Sequence, residues 1–257
     1  MDYNNPQVPH EVNDSVVAEG HLKDVIVNLL FVGVATLGIT LFLINAGSIV
    51  GQYIPFEWEK IFIDEPTSTQ LTDQEVQLND LAQKLSARVS LPEGMSVSVR
   101  VNDLSTVNAY ASLGGKIVIF KGLLDSVKSD RALAFILAHE ISHVKHRHVI
   151  QQVGGGLLVV MAYGVITGNT ASDSTVLGVA STLSIASYSR EREEQADETA
   201  LAALYAEYGT IDGYDELFQE LSKDEPDSLL NVYMRTHKLS SERIKHLNEL
   251  AIAKGWK

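Results

Sequence analysis

Apolar and polar positions divide the chain into two unlike parts. From Val25 to Gly51 no residue is charged, and Leu29–Ile44 is strongly apolar. About 20 apolar residues suffice to cross a bilayer, so this run predicts one transmembrane helix over residues 23–52. A polar tail, residues 1–22 with Pro6 and Pro9, precedes it, and a linker, residues 53–70 with Pro55 and Pro66, follows. A cleaved signal peptide would need a short basic start and a brief apolar core. The segment instead begins with Asp2, Glu11, Asp14 and Glu19, with Lys23 as its base, and its apolar stretch is too long, which favours a retained anchor.

Beyond residue 71 the pattern becomes periodic. Thr72 and Glu75 match a capping box, and Val76, Leu78, Leu81 and Leu85 give the helix after it one apolar stripe. Pro92-Glu93-Gly94 reads as a turn. Met95–Val101, Val107–Ala111 and Lys116–Phe120 read as short strands, with Gly114-Gly115 turning the last two into a hairpin. Ser129 or Asp130 can cap a helix running through Leu133, Ile136, Leu137, Ile141 and Val144. A second apolar region, Val149–Ser189, is broken by Gly154-Gly155-Gly156 and Gly168-Asn169. Its densest part is shorter than a membrane span, which favours two buried helices over a membrane hairpin. A charged helix over Arg190–Tyr208, a helical segment near Tyr214–Leu221 and a closing helix from Ser241 complete the pattern. The expected class is mainly α with a small β-sheet, with residues 71–257 as one folded domain behind the anchor.

Composition narrows the chemistry. The 257 residues carry a formal charge of −13, a poor basis for binding nucleic acid, whose phosphates require cations. With no cysteine present, disulfides and thiolate metal ligands are excluded, and any metal must rest on His and carboxylate groups. Lys23 and Lys60 flank the apolar run, so the positive-inside rule barely orients it. Long domains translocate regardless of charge, which leans the folded part towards the extracytoplasmic side.

One pentad, His139-Glu140-Ile141-Ser142-His143, carries the strongest functional signal. On a helix His139 and His143 stand one turn apart on one face, and two imidazoles can bind one ion with Glu140 beside them to handle a proton. The flanks Ala134, Phe135, Ile136, Leu137, Ala138 and Val144 are apolar, so the pentad lies on a buried helix, where unpartnered His and Glu would be costly. A catalytic zinc needs a third protein ligand and an open position. A His ten residues after His139 is one solution, but position 146 is His where that motif has Gly, and position 149 is Val. A Glu on a later helix, with an Asp one turn on, is the other. Glu193 and Asp197 offer it at i and i+4, Glu193 as ligand and Asp197 as hydrogen-bond acceptor for a ligand His. His148, nine residues after His139, lies about 180° around a continuous helix. It and His146 therefore read as structural or solvent-facing. His10, His21 and His246 join no constellation.

The order H-E-x-x-H, then S-R-x-x-E-x-x-A-D over Ser189–Asp197, resembles the membrane-associated zinc metalloendopeptidases of the HtpX and CAAX-prenyl-protease type, over about residues 70–250. The resemblance implies a zincin-like gluzincin domain with one Zn²⁺, in a single-pass protein of a bacterial inner membrane that acts on protein or peptide substrates, in membrane or envelope quality control. It also implies that Asn108, Ala109 and Tyr110 lie on an edge strand that pairs with substrate, that His237 approaches the zinc or the tetrahedral intermediate, and that Arg243 holds a carboxylate near the site. One departure stands out: Lys238 follows His237 where the family usually has Pro. The other reading is a zinc-containing membrane chaperone or scaffold without proteolysis, whose mark would be loss of the pentad Glu. Glu140 is present.

Overall fold

The computed structural model describes residues 14–60, 70–168, 188–221, 231–237 and 240–257. The chain divides into two units, Met1–Leu43 and Ile44–Lys257. Helix α1, Asp14–Gly51, contains the apolar run. Its stretch His21–Gly51 is long and apolar enough to cross a membrane.

In the second unit a one-turn helix α2, Phe56–Glu59, precedes α3, Asp73–Val89. The capping box is present: Glu75 N–H donates to Thr72 Oγ1 at 3.2 Å, and Thr72 N–H to Glu75 Oε2 at 2.9 Å. The buried face of α3 is Glu75, Leu78, Ala82, Leu85 and Val89. Val76 is instead 44% exposed, because Glu75 turns inward at that level. Glu75 Oε1 accepts the Val101 N–H at 3.1 Å, and the Asn79 amide bonds both the N–H and the C=O of Val99 at 2.9 Å. These side chains satisfy one edge of strand β1, Ser98–Asn102, which starts three residues later than the apolar pattern suggested.

Strands β2, Ala109–Ala111, and β3, Lys116–Phe120, complete a three-stranded sheet in the order β1-β3-β2. β1 pairs parallel with β3, and β2 antiparallel to it. The β2–β3 link is a 3₁₀ turn, Leu113–Gly115. A Cβ on Gly115 would stand 2.0 Å from Ser96 O, so only glycine fits at its φ of 78°. Helix α4, Lys121–Ser126, leads to α5, Asp130–Lys145, whose cap is Ser129. Every residue of α5 from Ala134 to Val144 is buried, against α3, the sheet and the later helix over Arg190–Tyr208.

Arg147, at φ 61°, turns the chain into α6, His148–Thr167. α6 meets the end of α1 glycine to glycine: a Cβ on Gly47 would fall 2.4 Å from Gly155 Cα. The second helix expected in this apolar region lies outside the described residues. Helices α7, Arg190–Tyr208, α8, Glu216–Leu221, α9, Asn231–Thr236, and α10, Ser241–Lys254, follow. The fold is thus mainly helical with a small sheet, as the sequence pattern implied. Glu59 joins α2 to this frame. Its buried carboxylate accepts the Gly114 N–H at 2.8 Å and lies 2.6 Å from Arg147 Nη1.

Glu75 links helix start to sheet, and its protonation is coupled to stability. Burial raises its pKa, but hydrogen bonds from Thr72 and Val101 outweigh this and hold it below the ordinary value of 4.5. Its contribution is therefore complete above the unfolded-state pKa and lost as pH falls through the folded-state value. Glu75→Ala is expected to cost about 1–3 kcal/mol in urea unfolding at pH 7. The loss should shrink towards pH 3; a loss that did not vary with pH would contradict this role.

Candidate metal centre and active site

α5 crosses α7 so that the pentad faces Glu193 and Asp197, all buried. His139 Nε2 and His143 Nε2 lie 3.1 Å apart. Glu193 places one oxygen 3.6 Å from the first and the other 3.5 Å from the second. His237, just beyond α9, brings its Nδ1 to 3.2 Å from His139 Nε2 and 3.3 Å from Glu193 Oε1. A tetrahedral ion with bonds near 2.0–2.1 Å sets its ligand atoms about 3.3 Å apart. The four side chains could hold a metal ion, their donor atoms all within 4.8 Å of one another.

Charge in the pocket supports the same fit. Burial raises the Glu193 carboxyl, yet His237, His139 and Arg243 bring it below the usual carboxylate range. Burial lowers the His237 imidazole, yet Glu193 and Glu140 outweigh this and raise it to about 9. The pocket therefore demands positive charge at its centre, as a metal would supply. Burial and the surrounding imidazoles push His143 well below its usual value, which keeps it neutral and able to ligate.

Asp197 and Arg243 hold the donors in place. Asp197 Oδ1 stands 2.9 Å from His139 Nδ1. The Arg243 guanidinium grips Asp197 with Nε at 2.7 Å and Nη2 at 2.8 Å, and reaches Glu193 Oε2 with Nη1 at 2.8 Å. Nη1 also donates to the His237 carbonyl. Arg243 thus holds two carboxylates and the backbone carbonyl of His237.

Glu140 is fully buried beside the donors, its Oε1 3.3 Å from His237 Nε2. Among the described residues neither of its oxygens accepts a hydrogen bond. β2 borders the same space. Phe120 N–H donates to Asn108 O, and Ser112 N–H to Lys116 O. This alternation spends the backbone groups of Asn108 and Tyr110 on β3 and turns those of Ala109 and Ala111 away from it, both residues being buried. Ala109 O lies 3.3 Å from His237 Nε2. Asn108 is buried, with Thr236 Oγ1 3.4 Å from its Oδ1, joining β2 to the helix that carries His237. Tyr110 is half-buried, its ring 6.1 Å from that of Phe120.

Three aromatic neighbours had no sequence signal. Tyr188 stacks on His143 with ring centres 4.0 Å apart, and Tyr233 on His237 at 4.5 Å. The third, His148, stays out of the donor cluster, but not for the reason a helical wheel gives. α5 ends at Lys145, and the reversal at Arg147 folds His148 back to place its Nδ1 2.9 Å from His143 Nδ1. It is buried rather than solvent-facing, and His146 is half-buried against Thr199.

Buried nitrogen and carboxylate donors on an H-E-x-x-H helix and an E-x-x-x-D helix, beside the outer strand of a small sheet, define a metallopeptidase domain. The chain belongs to peptidase family M48, whose model matches residues 72–251. It is 32% identical over 173 residues to the mitochondrial metalloendopeptidase OMA1 of Arabidopsis thaliana, covering 64% of this chain and 33% of that protein. Against the metalloprotease YcaL of Escherichia coli K12 it is 26% identical over 161 residues, 61% of this chain and 63% of YcaL. A putative beta-barrel assembly-enhancing protease of Vibrio cholerae is 28% identical over 165 residues, 56% of this chain and 32% of that protein. The chain thus spans about a third of two of these relatives and under two thirds of the other.

Removing Arg243 leaves Asp197 and Glu193 buried with their main cation gone. Arg243→Ala is expected to lower stability by about 3–5 kcal/mol, read by chemical unfolding of the detergent-solubilised chain. A loss below about 1 kcal/mol would show that the guanidinium does not hold the site together.

Proposed function

We propose that this chain is a membrane-anchored, zinc-dependent metalloendopeptidase. The observation that carries the reading is Glu140: a fully buried carboxylate beside a metal-ready donor cluster, whose oxygens accept no hydrogen bond among the described residues. Such a group is costly unless used. His139, His143 and Glu193 would hold the ion, and an N/N/O set without thiolate suits catalytic zinc. Zinc bound there would draw the pKa of a coordinated water towards about 7 and polarise the scissile carbonyl.

The protein's own groups do the rest. Glu140 takes the proton from the attacking water and returns it to the leaving amine. Asp197 keeps the His139 ring oriented, and Arg243 keeps Asp197 and Glu193 ionised. His237 could also reach an ion held there. Its Nε2, facing Glu140 and the β2 edge, is then suited to the oxygen that becomes negative in the tetrahedral intermediate. A substrate strand adds to β2 through Ala109 and Ala111, which lays a peptide bond across the donors. A scaffold without turnover would have no use for a carboxylate buried beside the donors at Glu140.

The anchor reading rests on His21–Gly51 and on the aromatic residues just beyond it. Tyr53 and Trp58, 77% and 61% exposed, suit the bilayer interface where such rings collect. We place the protein in a bacterial inner membrane, folded domain on the extracytoplasmic side, acting on membrane or envelope proteins. The support is the named relatives, a beta-barrel assembly-enhancing protease among them.

Two substitutions test this reading. Glu140→Gln is expected to keep stoichiometric zinc while casein cleavage falls at least 10²–10⁴-fold; cleavage at the wild-type rate would sink the assignment. Proline is tolerated on an edge strand where its missing N–H faces outward. Ala111→Pro should therefore fold and bind zinc, with KM for an extended peptide raised about tenfold by one lost hydrogen bond. An unchanged KM would place the substrate elsewhere.

A further inference from the structure

His143 has a partner outside the donor cluster. Its Nδ1 faces His148 Nδ1 at 2.9 Å, and His148 Nε2 lies 3.0 Å from Gln195 Oε1. His148 is 3% exposed, and Tyr188 stacks on the His143 ring. Two Nδ1 atoms at this distance share one proton: one ring donates and the other accepts. His143 can offer its Nε2 lone pair to a cation only with the proton on Nδ1. His148 must then present a bare Nδ1 and carry its own proton on Nε2, where the Gln195 oxygen accepts it. The opposite order would put a proton on His143 Nε2, aimed at the other donors.

We propose that His148 is a positioning residue for the metal centre, a neutral imidazole acceptor that fixes His143 in the metal-binding tautomer. This rests on the metallopeptidase reading above. The two ligand histidines are thereby held by different chemistry: His139 by the Asp197 carboxylate, His143 by an uncharged ring. The difference has a physical reason. Glu140, Glu193 and Asp197 already lie buried in this pocket around one arginine. A fourth carboxylate behind His143 would add uncompensated charge, and an imidazole gives the same directional acceptor without it.

The test is zinc affinity of the full-length detergent-solubilised chain, by competition with a chromophoric chelator. His143→Ala should lose stoichiometric zinc; if it binds as wild type does, the metal-centre reading itself fails. His148→Ala is expected to weaken zinc about 10–100-fold. His148→Asn, whose amide oxygen falls near the position of Nδ1, should recover most of that loss. In the zinc-loaded wild type, long-range ¹⁵N–¹H NMR should show His148 protonated at Nε2 alone. Affinity within twofold of wild type for a folded His148→Ala would overturn the proposal. So would an Asn variant as weak as Ala, or His148 protonated at Nδ1; the NMR result decides even if the alanine variant does not fold.

Discussion

Three carboxylates, Glu140, Glu193 and Asp197, are buried in one pocket, and their charge sets the terms for everything around them. Burial alone would drive Glu193 and Asp197 towards protonation. Arg243 lets two of them stay ionised by gripping Asp197 with two nitrogens and Glu193 with a third. That grip decides where α10 docks, since Arg243 lies in its first turn. It also fixes the backbone of His237, whose carbonyl the same guanidinium takes. The charge left over is met by His237 and, in a zinc peptidase, by the metal.

Much of this was legible in the sequence because it is local. The pentad and the E-x-x-x-D pair need only one helical turn each to face one way, and the H-E-x-x-H, Glu193 and Asp197 positions meet as the spacing implied. Thr72 and Ser129 cap the helices they were expected to cap. Misreadings arose where a side chain left its pattern for a distant partner. Val76 looked like core, but Glu75 took that level to reach Val101 across 26 residues. Position 148 stood about 180° from His139 only while the helix was taken as continuous. A left-handed residue, Arg147, is unusual outside glycine, and nothing in the sequence announced it there. Tyr188 and Tyr233 lie far from the pentad in sequence, and their stacking depends on the tertiary fold alone.

The sheet gives the site its direction. One edge, β1, is closed by Glu75 and Asn79; the other, β2, keeps the groups of Ala109 and Ala111 turned outward beside the donors. Both residues are buried, and Ala109 O lies 3.3 Å from His237 Nε2. Glu59 and Arg147 bind the juxtamembrane helix α2 to the turn that ends β2. The cleft edge, the α5–α6 reversal and the residues just after α1 thus form one packed unit.

In the proposed peptidase His139, His143 and Glu193 together hold one zinc ion. An anomalous difference map at the zinc absorption edge, from crystals of the zinc-loaded full-length protein, tests it most directly. The predicted result is a single strong peak about 2.0–2.1 Å from His139 Nε2, His143 Nε2 and a Glu193 oxygen. A peak elsewhere, or zinc bound without Glu193, would contradict it.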